Sequence, residues 1–103
     1  MKIAVSSTGN LLESPMDSRF GRCKYIALYD TENSVLEFIS NPNAEADSGA
    51  GPATAQLIAS KDVGMVVSGD FGGKVKHILD DLKIEMVTVD TTMKTVKEII
   101  KNL

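Results

Sequence analysis

Apolar residues along this chain of 103 residues fall into two rhythms. Short runs rich in β-branched and aromatic residues come first: Ile3-Ala4-Val5, then Tyr25-Ile26-Ala27-Leu28-Tyr29, then Val35-Leu36-Glu37-Phe38-Ile39. Such runs, bounded by polar or turn-forming residues, read as strands. Asp30-Thr31-Glu32-Asn33-Ser34 supplies turn chemistry between the second and third, which predicts an antiparallel hairpin. After Pro52 the rhythm changes. Pro52 suits the first position of a helix, where its missing N–H costs nothing. Ala55, Ile58 and Ala59 share one face of that helix, and their small size predicts close packing. Val63 to Val67 is a buried strand broken only by Gly64. Val75, Ile78, Leu79 and Leu82 are spaced as one stripe of a second helix. Ile84 to Val89 is a fifth strand. Thr95-Val96-Lys97-Glu98 matches a capping box opening a third helix, with Val96, Ile99, Ile100 and Leu103 as its stripe. Met65, Met86 and Met93 read as core filler.

The order is therefore a strand, a hairpin, then αβαβα. Alternating strands and helices in the second half demand parallel pairing through right-handed crossovers, whereas the hairpin is antiparallel. A mixed five-stranded sheet of order 3-2-1-4-5 with three helices accommodates both. That is a ribonuclease-H-like α/β arrangement, expected as a single domain over residues 1–103.

Hydrophobic residues at 43% and charged residues at 24% belong to an ordinary globular chain. A net charge of -3 argues against non-specific binding to nucleic acid or an anionic membrane, which needs a basic face. The single cysteine allows no internal disulfide and points to a reducing, cytoplasmic setting. No apolar run approaches the roughly 20 residues that cross a bilayer. The start passes directly into Lys2-Ile3-Ala4-Val5, without the apolar core of a signal peptide.

Candidate chemistry gathers in Asp17-Ser18-Arg19-Phe20-Gly21-Arg22-Cys23, which lacks periodicity and reads as a loop. Arg19 and Arg22 place positive charge beside Cys23, which favours the thiolate, the form that binds metals. The competing reading makes Cys23 a small buried hydrophobe and Phe20 a core anchor. Arg19, Arg22 and Lys24 could hold an anion, or could simply be solvated or paired with Asp17 and Glu13. Ser68-Gly69-Asp70-Phe71-Gly72-Gly73 is a glycine-rich turn before a helix, a place where free amides and the helix dipole favour anions. The same glycines could serve only to make tight turns. The pattern GxxxxGK[ST] is absent, so a nucleotide site is not indicated. His77 advances about 200° from Val75 and so faces away from the apolar stripe, toward solvent. Catalysis finds little support: Ile3-Ala4-Val5-Ser6 carries no carboxylate for a two-metal nuclease. No Cys-x-x-Cys and no Ser/His/Asp constellation can be argued from spacing.

Taken together, several segments resemble the dinitrogenase iron–molybdenum cofactor family. They are Arg19-Phe20-Gly21-Arg22-Cys23, Asn41-Pro42-Asn43 with Gly49-Ala50-Gly51, Ala55-Gln56-Leu57-Ile58, Val66-Val67-Ser68-Gly69-Asp70-Phe71-Gly72-Gly73-Lys74, and Thr95-Val96-Lys97-Glu98. The resemblance spans essentially the whole chain in the right order. It implies the ribonuclease-H-like fold and a non-enzymatic carrier or accessory role toward iron–sulfur or iron–molybdenum type clusters. It also implies cluster-assembly or acceptor proteins as partners; a monomer or weak homodimer is expected. Some cluster-binding relatives carry a histidine near the Phe-Gly pair; here Arg19 stands just before Phe20. The alternative is a small-anion-binding or protein-interaction module without metal.

Because a strand antiparallel to the first begins where the first ends, Cys23 is expected at the sheet edge that carries Ser6 to Gly9 and Gly69 to Gly73. Ligands of open sheets gather at such an edge. The expectation is one pocket lined by Ser7, Arg19, Cys23, Gly51, Gly69 and Gly72, with Leu11 to Arg22 as a mobile lid. Phe20, Gly21, Arg22, Gly49 and Gly73 complete the expected cofactor-binding set, and Cys23 is the expected metal ligand.

Overall fold

β1 (Lys2–Ser7), β2 (Tyr25–Asp30), β3 (Val35–Ser40), β4 (Val63–Ser68) and β5 (Glu85–Thr88) form one sheet in the order β3-β2-β1-β4-β5. The helices are α1 (Ala50–Ala59), α2 (Gly73–Asp81) and α3 (Val96–Lys101). This is a computed structural model, and it describes residues 1–90 and 94–103. The expected ribonuclease-H-like arrangement is the one present. β1 is antiparallel to β2, with Ser7 opposite Tyr25, and parallel to β4, with Val5 opposite Val67. β4 and β5 are parallel.

The sheet has a core on each face, and β1 feeds both because successive side chains point to opposite sides. On one face Ala4, Ile26, Leu28 and Val66 meet Ile58 of α1 and Val75 and Leu79 of α2. On the other, Ile3, Val5, Ala27 and Val67 meet Met16 and Val96 and Ile99 of α3. Covered on both sides, β1 is buried from Ile3 to Ser7. Met86 and Met65 pack against the two cores respectively. Met93, expected as core filler, lies outside the described residues.

The ends of elements depart from the periodic pattern. α1 starts at Ala50, after a left-handed Gly49 (φ 72), so Pro52 is not its first residue. Pro52 still lies within the first turn, where amides lack intrahelical partners. α2 stops at Asp81, leaving Leu82 38% exposed, and a left-handed Lys83 (φ 61) turns the chain toward β5. α3 ends at Lys101, leaving Leu103 exposed. No helix among the described residues is long and apolar enough to cross a membrane.

The segment expected to be a mobile lid is a pinned strap over much of its length. Met16 is fully buried, and its N–H donates to the Lys94 carbonyl at 2.8 Å. The Asp17 N–H donates to Ser6 O at 2.9 Å, and the Thr8 N–H to Pro15 O at 3.0 Å. Burial of Ser14, Met16 and Asp17 and the bridges Ser7–Met16 and Pro15–Thr95 tie residues 14–17 to the body of the fold, with Leu11, Leu12 and Glu13 exposed before them.

Candidate functional site

Where β1 and β4 end and β2 begins, three loops meet. The 17–24 loop is anchored by Phe20, whose ring is 3% exposed and packs against Phe71 at a centroid distance of 5.6 Å. Its next residue, Gly21, lies directly on the start of α1. A Cβ there would stand 2.6 Å from Gly51 Cα and N. Gly51 in turn faces α2, since a Cβ on it would stand 2.5 Å from Val75 Cγ2. Gly21 thus lets the loop lie on the α1 backbone, and Gly51 leaves room for the Val75 side chain of α2.

Buried polar groups fix the loop from behind. The Asn41 side-chain amide donates to Cys23 O at 2.9 Å and Gly21 O at 3.2 Å, and its oxygen accepts from the Asn43 N–H at 3.1 Å. The Thr54 hydroxyl, fully buried, lies 3.2 Å from Gly21 O and 3.3 Å from Asn41 Oδ1. Arg22 donates to the Ala46 carbonyl, tying the loop to the segment before α1.

In front of this stack lies a cleft of about 370 Å³ lined by Arg19, Phe20, Gly21, Arg22, Gly49, Ala50, Gly51, Pro52, Asp70, Gly72, Lys74 and Val75. Three of these side chains are cationic and one, Asp70, is anionic. One Asp70 oxygen already accepts the Phe71 N–H at 2.9 Å. α1 and α2 both begin at the cleft, with glycine N-caps, and no side chain caps either. Their first-turn amides therefore add positive dipole ends to the three cations. Arg19 and Arg22 also line a second, adjoining cleft of about 610 Å³.

Of the expected site residues, Arg19, Phe20, Gly21, Arg22, Gly49, Gly51 and Gly72 come together in the first cleft, and Ser7, Cys23, Gly69 and Gly73 are not in its lining. Ser7 is fully buried, its hydroxyl donating to Gly9 O at 2.6 Å. Gly69 is backed by Ser18, whose Cα would stand 2.6 Å from a Cβ there. Gly73 opens α2 facing open space.

Cys23 is the main correction. It sits at the expected sheet edge but at 0% exposure in the core, its thiol donating to Phe20 O at 3.1 Å. Burial, and secondarily the charge of Asp17, push its pKa up from 9.0 to about 11. The arginines do not offset this, because Arg19 is two-thirds exposed beside Asp17 and Arg22 is turned to Ala46 O. The thiolate expected as a metal ligand is thus neither formed nor reachable, and Cys23 is the small buried hydrophobe. His77 is exposed on α2, away from the buried Val75 and Leu79. Asp70, Lys74 and the clamp of Asn41 and Thr54 were missed from sequence. The signal for Lys74 was a cation straight after a Gly-Gly helix start. The signal for Asn41 was the Asn-Pro pair, whose asparagine turns out to make a turn of its own with Asn43.

A family model described as dinitrogenase iron-molybdenum cofactor matches residues 1–103. No curated protein matches the sequence. Among solved structures, the apo form of the orange protein from Desulfovibrio gigas is similar at 27% identity and a TM-score of 0.91, over 98% of this chain and 84% of that one. A putative NifB protein from Thermotoga, assigned to the DUF35 family, is similar at 30% identity and a TM-score of 0.82, over 97% of this chain and 84% of that one.

Proposed function

This chain belongs to the dinitrogenase iron-molybdenum cofactor family, and from that membership we propose that it is a non-catalytic accessory protein that carries anionic metal–sulfur cargo in the first cleft. The donor set supports holding without coordination. A cluster fixed by the protein itself needs thiolates, commonly four. The one thiol is sealed in the core, and among the described residues no group of three His, Cys, Asp or Glu could hold a metal ion. The residues do not fit a coordinated cluster. They do fit an anion that arrives with its own sulfide ligands and is gripped from outside.

The observation that carries this reading is the convergence of Arg19, Arg22 and Lys74 with two uncapped helix starts on one cleft. Preorganised amides and cations bind an anion without covalent attachment, and a carrier needs attachment that can be undone. The same uncapped amides favour a second reading, a module for simple anions such as phosphate, with no metal involved.

The test is anaerobic incubation with iron, sulfide and molybdate, followed by desalting and metal analysis. The wild-type protein and Cys23→Ala should retain metal alike. The double variant Arg22→Glu/Lys74→Glu should retain at least about tenfold less, as expected when attractive charges at a contact become repulsive. Equal retention by the double variant would sink the electrostatic carrier. A melting temperature raised by phosphate, beside no metal retention, would favour the second reading.

A further inference from the structure

The second cleft shares Arg19 and Arg22 with the first, and its lining is as biased in charge. Arg19, Arg22 and Lys24 line it with one carboxylate, Glu45, while Asp17 pairs with Arg19 at 3.4 Å from outside the lining, on a chain whose overall charge is -3. Lys24 makes no ion pair among the described residues, and its ammonium stands 6.0 Å from the Tyr25 ring centroid at the cleft wall. At about 610 Å³ the cleft is large and open, and Ser40, the last residue of β3, lines it. β3 is an edge strand, hydrogen-bonded among the described residues only to β2. An extended chain leaving this cleft therefore meets a row of unpaired backbone groups, the usual template for strand addition.

We propose that the second cleft docks an acidic, extended segment of a partner protein, and that the partner competes with the cargo for Arg19 and Arg22. The free edge of β3 distinguishes a polypeptide from a small anion, which would have no use for it. The competition rests on the carrier reading above; the docking does not. Since both clefts share the two arginines, an acidic segment bound in one draws positive charge from the other. Linkage makes the effect mutual: the partner weakens cargo binding by the factor by which cargo weakens the partner. Docking would thus loosen the cargo at the moment of transfer.

Of these two clefts, Lys24 lines the second and not the first, and Lys74 the first and not the second, which separates the two sites. The probe is a fluorescein-labelled oligoglutamate peptide, titrated by anisotropy against the full chain. The peptide should bind, and Lys24→Glu should weaken it about tenfold while Lys74→Glu changes it less than about twofold, as expected of local charge contacts. Tetrathiomolybdate, a simple molybdenum–sulfide anion, should bind Lys24→Gln within about twofold of the wild type at about 150 mM salt, where screening confines charge effects to direct contacts, and should displace the peptide. Both lysines are exposed, and circular dichroism with Lys24→Gln guards against loss of fold. Docking is overturned if the peptide does not bind, or if Lys24→Glu and Lys24→Gln bind it like the wild type. Pyrophosphate bound in a Lys24-dependent way, with no peptide binding, also overturns it. Simultaneous, independent binding of peptide and tetrathiomolybdate overturns the competition. Peptide binding without any tetrathiomolybdate binding supports the docking and counts against the carrier reading instead.

Discussion

At 0% exposure the Cys23 sulfur has no water to stabilise its anion, and Asp17 adds negative charge, so the thiol keeps its proton up to about pH 11. The folded value lies above the ordinary 9.0, so the native chain holds a proton that the unfolded chain releases between these two values. The resulting stability is whole below pH 9.0 and is lost as pH rises through about 11, amounting to about 2–3 kcal/mol. Urea denaturation of the wild type across this window should lose stability more steeply than Cys23→Ala, which has no thiol to titrate. Parallel pH profiles would show that the thiol is not held protonated by the fold. From sequence, Arg19 and Arg22 argued for the opposite shift. Neighbours in the chain are visible there, but the direction in which their side chains leave the backbone is not.

Among the elements, the contact of the 17–24 loop with α1 and α2 depends on two missing side chains. Gly21→Ala would drive a Cβ to 2.6 Å from the Gly51 backbone, and no flexible side chain is there to yield. α1 or the loop must shift, costing about 1–3 kcal/mol, as overpacked sites do. Thermal or urea unfolding should register that loss, together with weaker retention of anions in the first cleft. Gly72→Ala is the contrasting case. Nothing lies within 4 Å of its Cβ position, and its φ of -65 suits any residue. Its stability should stay within about 0.5 kcal/mol of the wild type. If both variants unfold alike, the close approach is not what positions the cleft.

For the molecule as a whole, charge is unevenly spread. Arg19, Arg22, Lys24 and Lys74, four of the 11 basic residues, line the two adjoining clefts, while the remaining surface carries most of the 14 acidic ones. An anion approaching the clefts meets an attractive local field set in a repulsive background, and salt screens both. Raising ionic strength from about 10 to about 150 mM shortens the Debye length from about 30 to about 8 Å, to near the dimensions of the cleft itself. Affinity for tetrathiomolybdate should therefore fall with salt, as isothermal titration can measure, and less steeply in Arg22→Glu. Affinity independent of salt would mean that amide geometry alone holds the anion.

Sheet order and parallel and antiparallel pairing were legible in the sequence, as was the meeting of the 17–24 loop with the ends of β1 and β4 at one sheet edge. They follow from local periodicity and from chirality rules that apply to every chain, whatever its contacts. Helix ends were less legible: Leu82 and Leu103 continue their stripes in spacing, yet each helix has already stopped. Only the tertiary structure decided which residues of the 17–24 loop face solvent. That choice was made by Phe20 stacking on Phe71, by Asn41 and Thr54 holding Gly21 O, and by the Gly21–Gly51 contact. Each links residues at least 20 apart in the chain, so no local pattern could encode it. The sequence alone determined the frame and the residues present at its open edge. Long-range packing turned Cys23 inward and Arg19 outward, because burial of a small apolar thiol is favourable and burial of a guanidinium is not.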